Sequence, residues 1–250
     1  MLELYNTPHS TCSQKVRICL AEKNLEWTDR HVNLATKEHL APAYLKINPN
    51  GVVPTLIHDG AVITDSSVIC EYIDEVFPAP ALTPAEPAQK AVMRAWLRFG
   101  EEVPTVAVRV PSFNMAFLPR FEGLSEDEFH DQQADIRPLR KQFYRRMGRG
   151  GFDGEDFSAA LEQIHSTAQR MNDALAAGPW LLGEQYTLAD IILAPLLDRM
   201  ADLGFADLWN TDFPRVTEWF ERSQERAGFK RAFFKGTRLS ELHDLAGPTC

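Results

Sequence analysis

Asn48-Pro49-Asn50-Gly51-Val52-Val53-Pro54-Thr55-Leu56 is the stretch that decides how this chain is read. An Asn-Pro-x-Gly turn leads into Val-Val-Pro and then an apolar strand, Thr55-Leu56-Ile57. A proline inside a strand pattern ordinarily marks an edge or an end of pairing. Two readings are open. Pro54 is a trans proline at a strand start, or Val53–Pro54 is cis, since X-Pro is the one context where cis costs only about 0.5–1 kcal/mol. A cis bond would turn the Val53 N–H and C=O outward, where an added extended peptide could pair with them.

Outward from that stretch the first eighty residues alternate between strand and helix. Leu2 to Asn6 alternates like a strand. A polar turn, Thr7 to Ser13, precedes a helix from Gln14 to Lys23 with Val16, Ile18, Cys19 and Leu20 as its apolar residues. Residues 26–33 read as a second strand and 37–47 as weakly helical. After the proline strand, Asp59-Gly60 suits a tight hairpin turn into Ala61-Val62-Ile63. Asp65-Ser66-Ser67 reads as a helix N-cap, and Val68, Ile69, Tyr72, Ile73 and Val76 keep helical spacing. The order is βαβαββα, an α/β unit.

Residues 78–88 contain four prolines and read as a linker. We therefore expect domains at 1–80 and 89–250, joined by 81–88. Nothing after the linker reads as strand. Gln89 to Glu102 is helical, and Pro104 and Pro111 break the pattern beyond it. Phe157, Leu161, Ile164, Ala168, Met171 and Leu175 step by three and four along one helix, which Gly178-Pro179 stops. Thr187-Leu188-Ala189-Asp190 reads as a capping box opening an apolar, central helix, with Tyr186 and Ile191 placed to staple it. Pro214 opens another helix through Trp219 and Phe220, a short aromatic helix surrounds Phe229 and Phe233, and the last dozen residues read as a tail.

The totals narrow the function classes. The chain has 250 residues, 44% apolar and 24% charged, with a net charge of −9. That balance argues against nucleic acid or an anionic membrane as the default partner. No run of eighteen apolar residues spans a membrane, and Met1 to Tyr5 lacks a basic leader. The four cysteines and seven histidines form no zinc-like spacing, so no metal is expected. Free thiols in a reducing cytoplasm are the expected setting.

Three motifs together resemble the glutathione transferase superfamily: Asn48 to Pro54, Asp65-Ser66-Ser67-Val68-Ile69-Cys70-Glu71-Tyr72, and Thr187 to Asp190. The resemblance covers nearly the whole chain. It implies a thioredoxin-like N-terminal domain, an all-α C-terminal domain, a cis proline at Pro54 and a homodimer. Ser10-Thr11-Cys12-Ser13 is similar to the S-x-C motif of the zeta class, the maleylacetoacetate isomerases, and of reductive dechlorinases. Ile57 to Tyr72 resembles bacterial β-etherases. Gln14 stands where zeta members usually carry Trp, and the segment from Pro104 to Phe152 departs from compact zeta members.

The implied activity is transfer: glutathione, bound as co-substrate, supplies a thiolate that attacks a small electrophile, expected to be aromatic. Ether cleavage, reductive dehalogenation, isomerisation and non-catalytic glutathione binding are the alternatives. A free thiol ionises near pH 8.5, so the site must favour the thiolate. Ser10 is the first candidate donor and Ser13 the second, beside Thr11, at the start of a helix whose dipole favours negative charge. Cys12 matches the dechlorinase cysteine that forms a mixed disulfide; as a residue it equally reads as a small buried hydrophobe, like Cys19 and Cys70. Val53, with Pro54, is expected to hold the cysteinyl part, Asp65 and Ser66 the γ-glutamyl end, and His39 the glycyl carboxylate. Arg109, Phe113, Asn114, Phe117 and Tyr144 are the candidates for the electrophile pocket. The basic cluster Arg137, Arg140, Lys141, Arg145, Arg146 and Arg149 has two readings, attraction of an anionic substrate and, ahead of it, a solvated helix face opposite the acidic run 122–135.

Overall fold

The strand after the Asn-Pro-x-Gly turn forms as Thr55–His58 (β3), in a computed structural model that describes residues 1–245. It joins Leu2–Asn6 (β1), Thr28–His31 (β2) and Ala61–Thr64 (β4) in one sheet of order β2-β1-β3-β4. β1 and β2 are parallel, and the other two pairs are antiparallel. Leu4 lies opposite Leu56 and Leu56 opposite Ile63, so one face of the sheet is apolar and buried. Asp59 and Gly60 both take positive φ, as a two-residue hairpin turn requires. Val53–Pro54 is cis, and Pro54 sits just ahead of β3 without occupying it. Ala79–Pro80 is also cis, which the sequence did not suggest.

Thr11–Glu22 (α1) starts three residues earlier than its apolar pattern implied, because Ser10 and not Ser13 is its N-cap. Every residue from Ser13 to Ala21 is buried. The helix is enclosed by Ser66–Val76 (α3) and by two helices from the far end of the chain, Leu188–Asp202 (α10) and Ala227–Ala232 (α13). Its polar residues are therefore bonded across the molecule. Arg17 donates to Asn6 Oδ1 at 2.8 Å and to the Ala232 carbonyl at 3.3 Å. Gln14 donates to the Thr237 carbonyl at 2.9 Å. Burial costs a polar group dearly unless it is hydrogen-bonded, so these contacts fix α1 against both halves of the protein. The weakly helical stretch after β2 resolves into a 3₁₀ turn, Glu38–Leu40, and one short helix, Pro42–Leu45 (α2).

From Pro87–Glu102 (α4) onward the fold is largely helical. α4 begins two residues before the sequence suggested, since Glu86 accepts from Ala88 N and Gln89 N and Pro87 fits the first helical position. The proline-rich stretch is tied down: Leu82 is buried, its N–H donates to Asp74, and its carbonyl accepts from Leu188 N. Short pieces come next, Pro104–Ala107 (α5), Arg109–Ser112 (α6), Glu126–Phe129 (α7) and Lys141–Met147 (α8), with π-helical turns at Phe113–Phe117 and His130–Ala134. Phe121, Phe129, Met147 and Phe152 give this segment a small core of its own. Gly154–Ala174 (α9), Asp207–Asn210 (α11) and Pro214–Glu225 (α12) complete the helical part.

α10 is buried from Leu188 to Met200, and its capping box forms as read: Thr187 Oγ1 accepts from Ala189 N, while Asp190 accepts from Thr187 N at 2.9 Å. Asp190 also accepts from Leu181 N at 3.0 Å and Trp219 Nε1 at 2.8 Å. The expected tail is no tail as far as Leu245: Leu239 is fully buried, Arg238 pairs with Asp198, and Asp202 accepts from Leu239 N. Cys250 lies outside the described residues.

Candidate functional site

The turn ahead of α1 and the loop ahead of β3 meet at one cavity of about 270 Å³. Ser10 Oγ accepts from Ser13 N at 3.3 Å, which leaves its hydroxyl proton free to point into the cavity. Thr11 and Cys12, in the first turn of α1, line it too. The first-turn N–H groups of a helix carry partial positive charge, so this is a place for an anion. Ser13 is 0% exposed, and its hydroxyl accepts from Thr7 N at 3.5 Å. It does not line the cavity.

Val52 and Val53 form the facing edge. The loop is held from behind. Tyr44 Oη and Asn48 Nδ2 both donate to the Val52 carbonyl, at 2.8 and 3.0 Å, and Asn48 Nδ2 also reaches Thr55 Oγ1 at 2.9 Å. Gly51 has φ +59°, and a Cβ there would sit 2.9 Å from Leu40 Cδ2, so only glycine fits. Among the described residues the Val53 N–H and C=O make no hydrogen bond. A free main-chain donor and acceptor in the loop ahead of β3 suit pairing with an extended peptide.

His39 lines the cavity and is 8% exposed. Its Nδ1 is buried without a partner. Burial, then the Arg137 and Lys37 charges, lower its pKa to about 4, so the ring is neutral at pH 7 and can donate one N–H. His9 is likewise held neutral, its pKa lowered to about 3 by burial and then by Arg199 and Arg120.

The opposite wall comes from the helical half. Arg109, Phe113, Phe117 and Tyr144 line the cavity, as do Phe121 and Phe143. Phe113 packs edge-on to Phe143 and Tyr144, with centroids 5.0 and 5.6 Å apart. Asn114 does not join them. Its amide is turned away, donating to the Phe152 carbonyl at 2.8 Å and accepting from Phe152 N at 3.0 Å.

Asp65 and Ser66 stand outside this cavity. Asp65, with φ 72°, caps α3 by accepting from Ser67 N and Val68 N. Ser66 is buried, and Ser67 Oγ donates to Glu101 Oε1 at 2.7 Å. Glu101 is also held by Lys15 Nζ at 2.7 Å. Burial raises the Glu101 pKa, but the Lys15 charge and the Lys15 and Ser67 hydrogen bonds outweigh it, so the carboxyl stays below its usual range. Pro54 is buried behind Val53.

The basic cluster divides, which corrects the reading of it as one solvated face. Arg145 and Lys141 pair with Asp135, and Arg146 with Asp156. Arg137 and Arg140 turn the other way and line the cavity, Arg137 stacking 3.9 Å from the Tyr144 ring centre. Two further cavity arginines, Arg120 and Arg199, escaped the sequence reading. Arg199 carried a signal: it is the one cation in the largely apolar helix α10. It is buried and donates to Ser112 Oγ at 3.2 Å and to the His9 carbonyl. Burial lowers both Arg109 and Arg199 to about 10, and both remain charged at pH 7.

Two family models match the chain, glutathione S-transferase N-terminal domain over residues 9–76 and glutathione S-transferase C-terminal domain over residues 141–222. Protein LigF of Sphingobium sp. strain SYK-6 is 30% identical over 243 residues, 95% of each chain. The crystal structure of that protein, a β-etherase, superposes with a TM-score of 0.84, covering 93% of this chain and 98% of the other. Maleylacetoacetate isomerase of Pseudomonas aeruginosa is 30% identical over 92% of this chain and 95% of its own. Tetrachloro-p-hydroquinone reductive dehalogenase of Sphingobium chlorophenolicum is 24% identical over 92% of this chain and 95% of its own.

Proposed function

The chain belongs to the glutathione S-transferase family, and on that premise we propose that it directs a glutathione thiolate at a small aromatic electrophile bound between its two halves. Residues 1–80 would hold the tripeptide and 89–250 the electrophile. The observation that carries the reading is the free main chain of Val53 facing the Ser10 hydroxyl across one cavity walled by Phe113, Phe117 and Tyr144. Glutathione, when bound, supplies the nucleophilic sulfur. Ser10 donates its hydroxyl proton to that sulfur as a thiolate, and the N-terminus of α1 adds its dipole. Val53 pairs with the cysteinyl main chain. His39 and Lys37 take the glycyl carboxylate. Asp65 and Ser66 meet the γ-glutamyl end at the start of α3. Cys12, Cys19 and Cys70 are free thiols, in keeping with a cytoplasmic setting, and the family's usual homodimer is part of the same proposal.

Ether cleavage is the second reading, supported by the likeness to the β-etherase over nearly the full chain. There the sulfur forms a C–S bond as the C–O bond breaks, and the aryloxide leaves with the electron pair. Titration with glutathione, then turnover of chlorodinitrobenzene and of an aryl ether, tests both. No binding at millimolar glutathione refutes the enzyme reading. Conjugation without ether cleavage refutes the second.

A further inference from the structure

Five arginines line the cavity, and among the described residues none has a carboxylate within 4.0 Å. Among the described residues, no aspartate or glutamate lines it. This is unusual in a chain with a net charge of −9, where a partner for each cation is easily found. The carboxylates nearest the cavity arginines are already engaged. Glu101, which acts on Arg109, is paired with Lys15. Asp198 and Asp202, which act on Arg199, are held by Arg238 and by Leu239 N. Burying a guanidinium unpaired is costly, and an anion supplied from outside would offset that cost.

Glutathione does not supply enough. On the reading proposed above, on which this inference rests, it brings two anions here, the thiolate and the glycyl carboxylate. Lys37, His39 and Arg137 lie together and serve the glycyl end. Arg199 is buried and already donates to Ser112 Oγ and to the His9 carbonyl, whereas Arg109 reaches the cavity beside Cys12. Arg120 is stacked on Phe117 at 4.7 Å and meets His243 at 3.3 Å. Arg109 and Arg140 are left. They repel one another, make no side-chain hydrogen bond to a carboxylate, and sit on the same cavity as the Phe113, Phe143 and Tyr144 rings. A guanidinium presents paired donors that match a carboxylate.

We propose that the electrophile this enzyme takes is an aromatic acid, its carboxylate held by Arg109 and Arg140 and its ring by Phe113, Phe143 and Tyr144. The pair sets specificity for the substrate.

The test measures binding, so it does not depend on turnover. The glutathione conjugate S-(4-carboxy-2,6-dinitrophenyl)glutathione and its aryl methyl ester share every atom of the tripeptide and differ by one charge. Calorimetric titration of the full chain is expected to give a Kd for the acid at least about tenfold lower than for the ester, the factor a charge-assisted hydrogen bond of about 1.4 kcal/mol provides. Arg109→Gln and Arg140→Gln are each expected to bring the acid-to-ester ratio towards one, and Arg109→Lys to restore part of it. The ratio cancels any effect on the shared tripeptide. Equal affinities in the wild type, or an unchanged ratio in both Gln variants, overturn the inference. Glutathione itself is titrated alongside. If it binds while the ratio is one, only the substrate class is wrong; if it does not bind, the transferase reading fails and takes this inference with it.

Discussion

Ser10→Ala separates the cap that Ser10 forms from the role proposed for its proton. Its oxygen caps α1 through Ser13 N at 3.3 Å, a long bond, so the cap contributes about 0.5–1 kcal/mol. For a chain of this size that lowers Tm by about 1–4 °C. Its proton is assigned to the glutathione thiolate. A hydrogen bond to a charged group contributes about 1.5–3 kcal/mol. At 1.36 kcal/mol per pKa unit, its loss raises the pKa of the bound thiol by about 1–2 units. Below that pKa, kcat/KM falls in proportion to the thiolate fraction, about 10- to 100-fold. The assay is kcat/KM for chlorodinitrobenzene against pH, with the thiolate absorbance of the binary complex titrated in parallel. Ser13→Ala is the control. Ser13 is fully buried and bonded to Thr7 N, so this variant loses stability and keeps its pH profile. An ascending, acid-side limb that stays in place in Ser10→Ala, or that moves as far in Ser13→Ala, refutes the assignment.

Asp190→Ala removes the acceptor for Leu181 N, Thr187 N and Trp219 Nε1, all buried. The expected loss is about 3–5 kcal/mol, read from the urea midpoint; a loss below about 1 kcal/mol contradicts the network. His9 and His39 are held neutral in the folded protein, with pKa values of about 3 and about 4. The unfolded chain takes up their protons first, so stability is full above about pH 6.5 and falls as pH drops, by about 1.4 kcal/mol per histidine per unit. Melts from pH 7 to 5 check the sign, and His39→Asn makes the slope shallower; a flat Tm over that range contradicts both burial assignments. Gly51→Ala forces a Cβ to 2.9 Å from Leu40 at positive φ. It is expected to cost about 1–3 kcal/mol and to raise the glutathione Kd by displacing Val53; an unchanged Kd removes Val53 from the peptide site.

The parts of the fold that could be read from sequence were those fixed by neighbouring residues. The Asn48 to Pro54 turn, the Asp59-Gly60 hairpin and the Thr187-Asp190 capping box each close hydrogen bonds within a few positions. Local chemistry determines them, so local sequence reveals them. Helix starts were less legible. Ser10 and Ser13 have the same chemistry, and only the burial of Ser13 beneath the sheet-side loop separates cap from core. Asn114 shows the same failure. Its position beside Phe113 suggested the cleft, but the bonds to Phe152, 38 residues on, turn it away.

The cationic lining was the least legible feature, and the reason is physical. Its five arginines come from α6, from the 3₁₀ turn at Leu118–Phe121, from the loop before α8 and from α10. Four of them are brought to one cavity by the packing of the 104–152 segment, which has its own core, and the fifth by α10. In sequence, Arg137 and Arg140 are indistinguishable from Arg145 and Arg146, which pair outward with Asp135 and Asp156. What separates them is which carboxylates have already been taken. Asp135 and Asp156 pair with outer cations, Glu101 with Lys15 and Asp198 with Arg238, and the cavity arginines are left over. A net charge of −9 argued soundly against a polyanionic partner at the surface. It carries no information about one enclosed cavity, because within a few ångströms of a guanidinium the local pairing outweighs the remote total.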